Sequence, residues 1–272
     1  MKIFDFYIIS VNLVKKLRVH GGTIKSMAIT EIRSRYVDTI GGLIWALIHP
    51  LLVILVYWFV FSVGFKITPP GGVPFILVFL SGFIPWIIFN ETLMGNTNVL
   101  QTHSHLVTKT VFPTEILPVI RLLVSMVTHF VMLFFLLIIM FVLDVSFSIY
   151  NFQFIYYLFA LTVLVLGLSW LCSSVNLFFR DTAQILQALL PLWFWLTPIV
   201  WFRDMIPDKY QWILDLNPLV YIVEGYKKSF IYHSPFWEDL PSAANFWAVG
   251  ILAFVIGGLV FRKLKPEFAE VL

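Results

Sequence analysis

Leu189-Leu190-Pro191-Leu192-Trp193-Phe194-Trp195-Leu196-Thr197-Pro198-Ile199-Val200-Trp201-Phe202 is the stretch on which the fold turns. It is apolar enough to sit in lipid, yet it is crowded with rings and carries two prolines. Read as one helix, it brings Phe194 and Trp201 nearly onto one face, with Gln187 close to that face. Each proline removes a backbone donor and bends the helix, which a membrane tolerates only where neighbouring helices or water satisfy the freed groups. Two readings stand. One is a lipid-facing helix with an aromatic belt at its outer end. The other is a helix lining a pathway for something bulky, with flat rings as rails.

The surroundings favour lipid throughout. Of 272 residues, 60% are hydrophobic and 12% charged, against roughly 25% charged in a soluble domain. This predicts an all-α polytopic membrane protein. Six apolar segments, at about 40–64, 73–94, 116–143, 154–178, 183–202 and 246–261, each approach or exceed the ~20 residues that cross a bilayer as helix. Thr68-Pro69-Pro70-Gly71-Gly72 is a turn between the first two. The expected organisation is a cytoplasmic amphipathic interface segment over 1–38 and a single six-helix transmembrane domain over 39–272. Within the first, Phe4, Ile8, Val11 and Val14 or Leu17 recur at helical spacing, and a second helical piece runs over 24–36.

Lys66, Arg203, Lys209, Lys227 and Lys228 fall in the segments placed outside, and the other 13 of the 18 lysines and arginines fall inside. Positive residues favour the cytoplasm, so both termini are expected there. No cleavable signal is expected, because the N-terminus lacks a short apolar core with a small-residue cleavage site. Cys172 is the single cysteine, so no intrachain disulfide framework exists.

The loops carry their own signals. Asn96 to Pro118 is polar, then semi-apolar, and closes on Pro113 and Pro118; a short helix lying across the cytoplasmic face fits it. Asp181 or Thr182 can cap the fifth span. Residues 203–245 are too long for a plain loop and too apolar for a soluble one. Asn217-Pro218 reads as an N-cap followed by proline in the first turn. Short helices dipping into the outer leaflet are predicted here, with Glu224, Lys227 and Lys228 at the outer mouth. An interfacial pair that only anchors the outer surface is the simpler alternative.

Catalytic chemistry is harder to find. His20-Gly21-Gly22-Thr23-Ile24-Lys25-Ser26 lacks the phosphate-loop spacing and reads as a turn, so any ATPase would be a separate chain. His103 and His105 are two apart and do not share a helix face, so no metal site is expected. Glu91 near the end of the second span faces a cavity or partner if it lies at mid-bilayer. In the first span, Trp45, Leu52 and Phe59 recur at seven-residue intervals, with Tyr57 and Phe61 four apart. Such rings suit either lipid or the C–H face of a sugar.

An ordered series of short motifs then resembles a known family. Arg35-Tyr36, Gly41-Gly42-Leu43-Ile44-Trp45 and Pro50-Leu51 come first. Asn98-Val99-Leu100, Lys109, Phe112-Pro113 and Ile116-Leu117-Pro118 follow. Phe179-Arg180-Asp181, Thr197-Pro198-Ile199 and Asn217-Pro218-Leu219 complete it. The series is similar to the membrane subunits of ABC-2 type exporters, most of all the permeases for O-antigen, capsule and teichoic acid. The resemblance implies a homodimer of six-helix subunits in the inner membrane, served by two copies of a separate ATPase. ATP with magnesium would bind there, and this chain would hold no cofactor. Lipid-linked polysaccharide would be the substrate, with no role for nucleic acid. The first and fifth spans would line the channel, with Trp45, Tyr57, Trp58, Phe59, Phe194, Trp195 and Trp201 as its rings. Gln101, His103, His105, Lys109, Phe112, Arg180 and Asp181 would dock the ATPase. The stretch 215–231 would form a re-entrant outer gate around Asn217, Pro218, Tyr221 and Glu224. His103-Ser104-His105 departs from the simpler helical approach to Lys109 expected of the family. An exporter of a drug or small lipid, and a membrane enzyme acting on lipid-linked sugar, are the competing expectations.

Overall fold

The computed structural model describes residues 11, 13–36, 44–109 and 112–272, with backbone alone at 35, 36, 44–47 and 49. The expected contributions of Phe4 and Ile8, and the side chain of Trp45, therefore lie outside what is described. No strand occurs among the described residues.

Residues 13–19 are helical and lead through His20 into α1 (Gly21–Tyr36). The expected turn at Gly21-Gly22 is absent. His20 N–H donates to the Lys16 carbonyl, and Ile24 N–H to that of His20, each at 2.9 Å, so helical bonding runs through the glycines. Then follow α2 (Ile44–Trp58), which continues as a π-turn over Phe59–Gly64, and α3 (Phe75–Thr97). Between them the expected turn forms, with Gly71 and Gly72 at φ 79° and 70°, a region open to glycine. Where one short helix was expected in the polar loop, there are two, α4 (Val99–Thr102) and α5 (Ser104–Lys109), parted at His103. Next come α6 (Leu117–Val142), α7 (Phe154–Phe178), α8 (Asp181–Trp195), α9 (Gln211–Leu216), α10 (Pro218–Lys227), α11 (Leu240–Leu264) and α12 (Phe268–Val271).

Helices α3, α6, α7 and α11 have 23, 26, 25 and 25 residues and are apolar enough to cross a membrane. The chain is a multi-pass membrane protein. Helix α11 begins six residues before the segment expected from hydropathy. Its N-cap, Asp239, accepts the Ser242 N–H at 3.2 Å, and Pro241 occupies the first turn.

The fifth apolar segment breaks where the sequence suggested only a bend. Helix α8 stops at Trp195 after 15 residues, about 22 Å at 1.5 Å per residue. Pro191 stays within the helix, whereas residues 196–202 form turns around Pro198. The helical face that would join Phe194 to Trp201 does not exist. Its start also differs: Arg180 is the N-cap by geometry, without a side-chain bond. The orphan Ala183 N–H instead donates to Asn176 Oδ1 of α7 at 3.0 Å.

Helix α3 sits at the centre, in contact with α2, α6, α7, α8 and α10, while α7 and α11 pack along each other. That last pair meets backbone to backbone: a Cβ on Gly257 would overlap the carbonyl of Gly167. Polar groups tie the same core. Asn96 Nδ2 donates to the Pro118 carbonyl and to Ser169 Oγ at 3.1 and 2.9 Å, joining α3, α6 and α7. With no water in hydrocarbon, such groups must find protein partners.

Candidate functional site

Three regions hold the residues singled out from sequence: an aromatic stack, the clamped C-terminal end of α8 and a groove on the opposite face.

The stack arises from i, i+4 repeats. Phe75, Phe79 and Phe83 share one face of α3, and Tyr57 and Phe61 share one face of α2 and its π-turn, with Phe65 just past its end. The two ladders meet. Phe61 and Phe75 centroids lie 5.5 Å apart, Tyr57 and Phe79 5.0 Å, and Phe79 and Phe83 4.9 Å, all near-parallel. Phe194 of α8 closes the stack edge-on, 5.8 Å from Tyr57 and 5.4 Å from Trp86. Each such pair adds about 0.5–1.5 kcal/mol beyond area burial. Tyr57 and Phe194 are thus committed to the joint between α2, α3 and α8.

Other rings point away. Trp58, Phe59 and Trp195 are 37%, 60% and 53% exposed. Around them Leu52 and Val56 of α2, with Ile185, Leu189 and Leu192 of α8, are exposed as well. Only Leu190 and Phe194 of α8 are buried. Trp201 is half-buried and its indole N–H donates to the Trp195 carbonyl at 3.0 Å.

At the C-terminal end of α8, the broken helix leaves carbonyls that need donors. Asn217 and Lys227 supply them. Asn217 Nδ2 donates to Thr197 Oγ1 at 3.0 Å and to the Leu196 carbonyl at 3.4 Å. Its Oδ1 accepts from Trp193 Nε1 at 2.8 Å and, as the expected N-cap of α10, from Leu219 N–H at 3.0 Å. Lys227 Nζ donates to the Pro198 carbonyl at 2.5 Å and to Glu224 Oε1 at 2.9 Å, 5.7 Å from the Phe202 ring. Lys227 is 1% exposed. It is not at the open mouth beside Glu224 and Lys228, because its ammonium is spent on the end of α8. No sequence pattern distinguishes it from Lys228; only the broken helix explains its burial.

Between α10 and the start of α11 lies a cleft of about 470 Å³. Asn217, Pro218, Tyr221 and Glu224, the expected gate residues, all line it.

On the opposite face, α1 and the α4–α5 loop bound a groove of about 670 Å³ that includes His20, Glu31, His103, His105 and Phe112. Arg121 Nη1 donates to Glu31 Oε1 at 3.4 Å, and His103 Nε2 lies 3.9 Å from the same oxygen. Gln101 turns inward, donating to the Asn176 carbonyl at 3.3 Å. His105, Lys109, Arg180 and Asp181 are exposed. Glu115, which sequence reading passed over, receives Lys16 at 2.8 Å and Lys265 at 2.8 and 2.9 Å. It thereby joins the N-terminal helical stretch to the C-terminal end of the chain. Among the described residues, no group of histidines, cysteines and carboxylates is arranged to hold a metal ion.

A helical membrane bundle with one wrapped central helix and one broken, bare-faced helix is the class this architecture defines. The chain belongs to the ABC-2 type transporter family, which matches residues 23–231. It is similar to the O-antigen export system permease protein RfbA of Myxococcus xanthus, with 30% identity over 96% of this chain and 99% of the relative. A protein of the same name from Klebsiella pneumoniae is 27% identical over 89% and 92%. The polysialic acid transport protein KpsM of Escherichia coli is 24% identical over 90% and 94%.

Proposed function

We propose that the chain is the membrane permease of an ATP-driven exporter that moves lipid-linked polysaccharide, of O-antigen type, across the cytoplasmic membrane. Two copies enclose the passage between them. The observation that carries this reading is the bare face of α2 and α8, where Trp58, Phe59 and Trp195 stand out beside exposed aliphatic side chains. Flat rings lie against the C–H faces of sugars without fixing one pattern of hydroxyls. The RfbA and KpsM relatives carry export and transport of such polymers in their names.

In this reading α2 with its π-turn, and α8 with the turns after it, are the first and fifth of six crossings. Both termini are cytoplasmic. Helix α10 is the outer gate. A separate ATPase, in two copies and binding ATP with magnesium, docks at the groove under α1 and on exposed His105, Lys109, Arg180 and Asp181. The push it delivers reaches the bundle through α1, which is tied to α6 by Arg121 and Glu31.

The test is twofold. Cells lacking the chain accumulate lipid-linked polymer on the cytoplasmic side, and the purified chain brings an ATPase with it. Polymer export by this chain in vesicles without ATP would overturn the reading.

A further inference from the structure

We infer that the cleft between α10 and the start of α11 is a binding site for one neutral pyranose unit, and that it receives the sugar chain at the outer gate. The inference rests on the export reading for the origin of the ligand, but the site itself is argued from its lining.

The volume, about 470 Å³, falls inside the roughly 300–1,000 Å³ of small-molecule sites. The lining mixes both signs of charge. Arg203 and Lys228 supply donors; Asp215, Glu224 and Asp239 supply acceptors; Asn245 supplies both kinds of group. Lys227 lies buried behind Glu224 and offsets part of its charge. The lining is therefore close to neutral and slightly acidic. A phosphate needs donors alone and would meet three carboxylates. A sugar hydroxyl donates and accepts at once, so a ring carrying several needs the mixture found here.

The polar groups are also held in place. Arg203 Nη2 donates to Asp215 Oδ1 at 2.7 Å and its Nε to Gln211 Oε1 at 3.2 Å. Asn245 Nδ2 donates to the Asp215 carbonyl. Asp239 Oδ1 takes the Ser242 N–H at 3.2 Å. Asp215, Glu224 and Asp239 each spend an oxygen on a partner within the chain, and a carboxylate has about four acceptor positions, so capacity is left for a ligand. Fixed groups spare a ligand the cost of ordering them.

The apolar side of the cleft is aromatic. Tyr221 stacks on Phe246 at 5.2 Å and meets Tyr157 at 5.4 Å. Its hydroxyl shares a 3.1 Å hydrogen bond with that of Tyr156, which accepts the Trp247 indole N–H at 2.8 Å. A half-buried ring locked in this way makes a fixed apolar wall beside the polar groups, against which the carbon skeleton of a pyranose can rest. A sugar here would touch α10 and α11 together, so binding would bear directly on the position of the gate.

The test uses the permease with its ATPase in lipid nanodiscs and free galactose, glucose and mannose as probes. Saturation-transfer NMR should show signal on the ring protons of at least one of them. Arg203→Gln and Asn245→Ala, tested separately, should each cut that signal by about fivefold or more, while Phe141→Ala, an exposed change in α6 away from the cleft and from the bare face of α2 and α8, leaves it unchanged. In a Cys172→Ala background, maleimide labelling of Ser242→Cys should slow several-fold when the hexose is present, a readout that does not depend on either loss variant folding well. Unchanged signal in both variants with unprotected Ser242→Cys overturns the site. So does protection of Ser242→Cys by glycerophosphoethanolamine and not by hexose, which would assign the cleft to a lipid headgroup. Failed hexose binding alongside polymer trapped inside deletion cells removes the site and keeps the export reading. Hexose binding in a protein whose deletion leaves export intact removes the export reading and keeps the site.

Discussion

Helices α3 and α8 are both apolar and each contains one proline, yet they live in different surroundings. Helix α3 is wrapped: most of its 23 residues are buried, Pro85 among them. Helix α8 buries Leu190 and Phe194 and leaves Pro191 exposed. The central helix carries Ser81, Gly82, Thr92, Asn96 and Thr97 among its buried residues; Gly82 admits the close approach of Val223 and Ile199, and Asn96 bonds to α6 and α7. The bare helix presents Ile185, Leu189 and Leu192 instead. The contrast separates a helix that builds a subunit from one kept available to lipid, to cargo or to a second copy. It also shows how the second kind is anchored: by its ring in the aromatic stack and by side chains at its broken end.

The contrast can be broken at four points. Phe79→Ala, at the centre of the stack, should cost about 3–5 kcal/mol, read as a large drop in the thermal unfolding temperature in detergent; a shift as small as that of a surface change would mean that the stack is not the core. Lys227→Met leaves the Pro198 carbonyl and Glu224 without their donor and should cost about 2 kcal/mol, with the C-terminal end of α8 becoming accessible to maleimide at an introduced cysteine. Asn217→Ala, removing the cap of α10 and the bonds to Leu196 and Thr197, should cost about 1–2 kcal/mol on the same measurement. Leu192→Ala should change stability by no more than about 0.5 kcal/mol, yet lower export. At that position Leu192→Cys in a Cys172→Ala background should give a cross-linked dimer under mild oxidation. Failure to cross-link, with the cysteine labelled freely by lipid-soluble reagents, would place this face in lipid.

Much of the scaffold was legible. The long apolar runs became α3, α6, α7 and α11; the Pro-Pro-Gly-Gly turn and the Asn217-Pro218 cap formed as read, because each rests on the conformational limits of a few residues. The end of α8 was not legible. Residues 196–202 are as apolar as those before them, and hydropathy is blind to whether backbone carbonyls find their donors in the helix or elsewhere. Extending the helix through Pro198 produced the shared face of Phe194 and Trp201 that the fold lacks. Neighbouring rings then part company: Phe194 turns into the stack and Trp195 out of it. The same blindness put Lys227 at the mouth. A lysine beside a glutamate looks exposed until a carbonyl from a distant turn comes within 2.5 Å.

The C-terminal end of α8 is completed by atoms that the ribosome has not yet delivered when that helix emerges. The partners of Trp193 and Pro198 lie 24 and 29 positions further along. Until they arrive, exposed carbonyls disfavour a settled place in hydrocarbon. Insertion of this region is therefore expected to proceed as one step spanning α8 to α10, with truncation anywhere between them leaving a helix that the quality-control proteases of the membrane can seize.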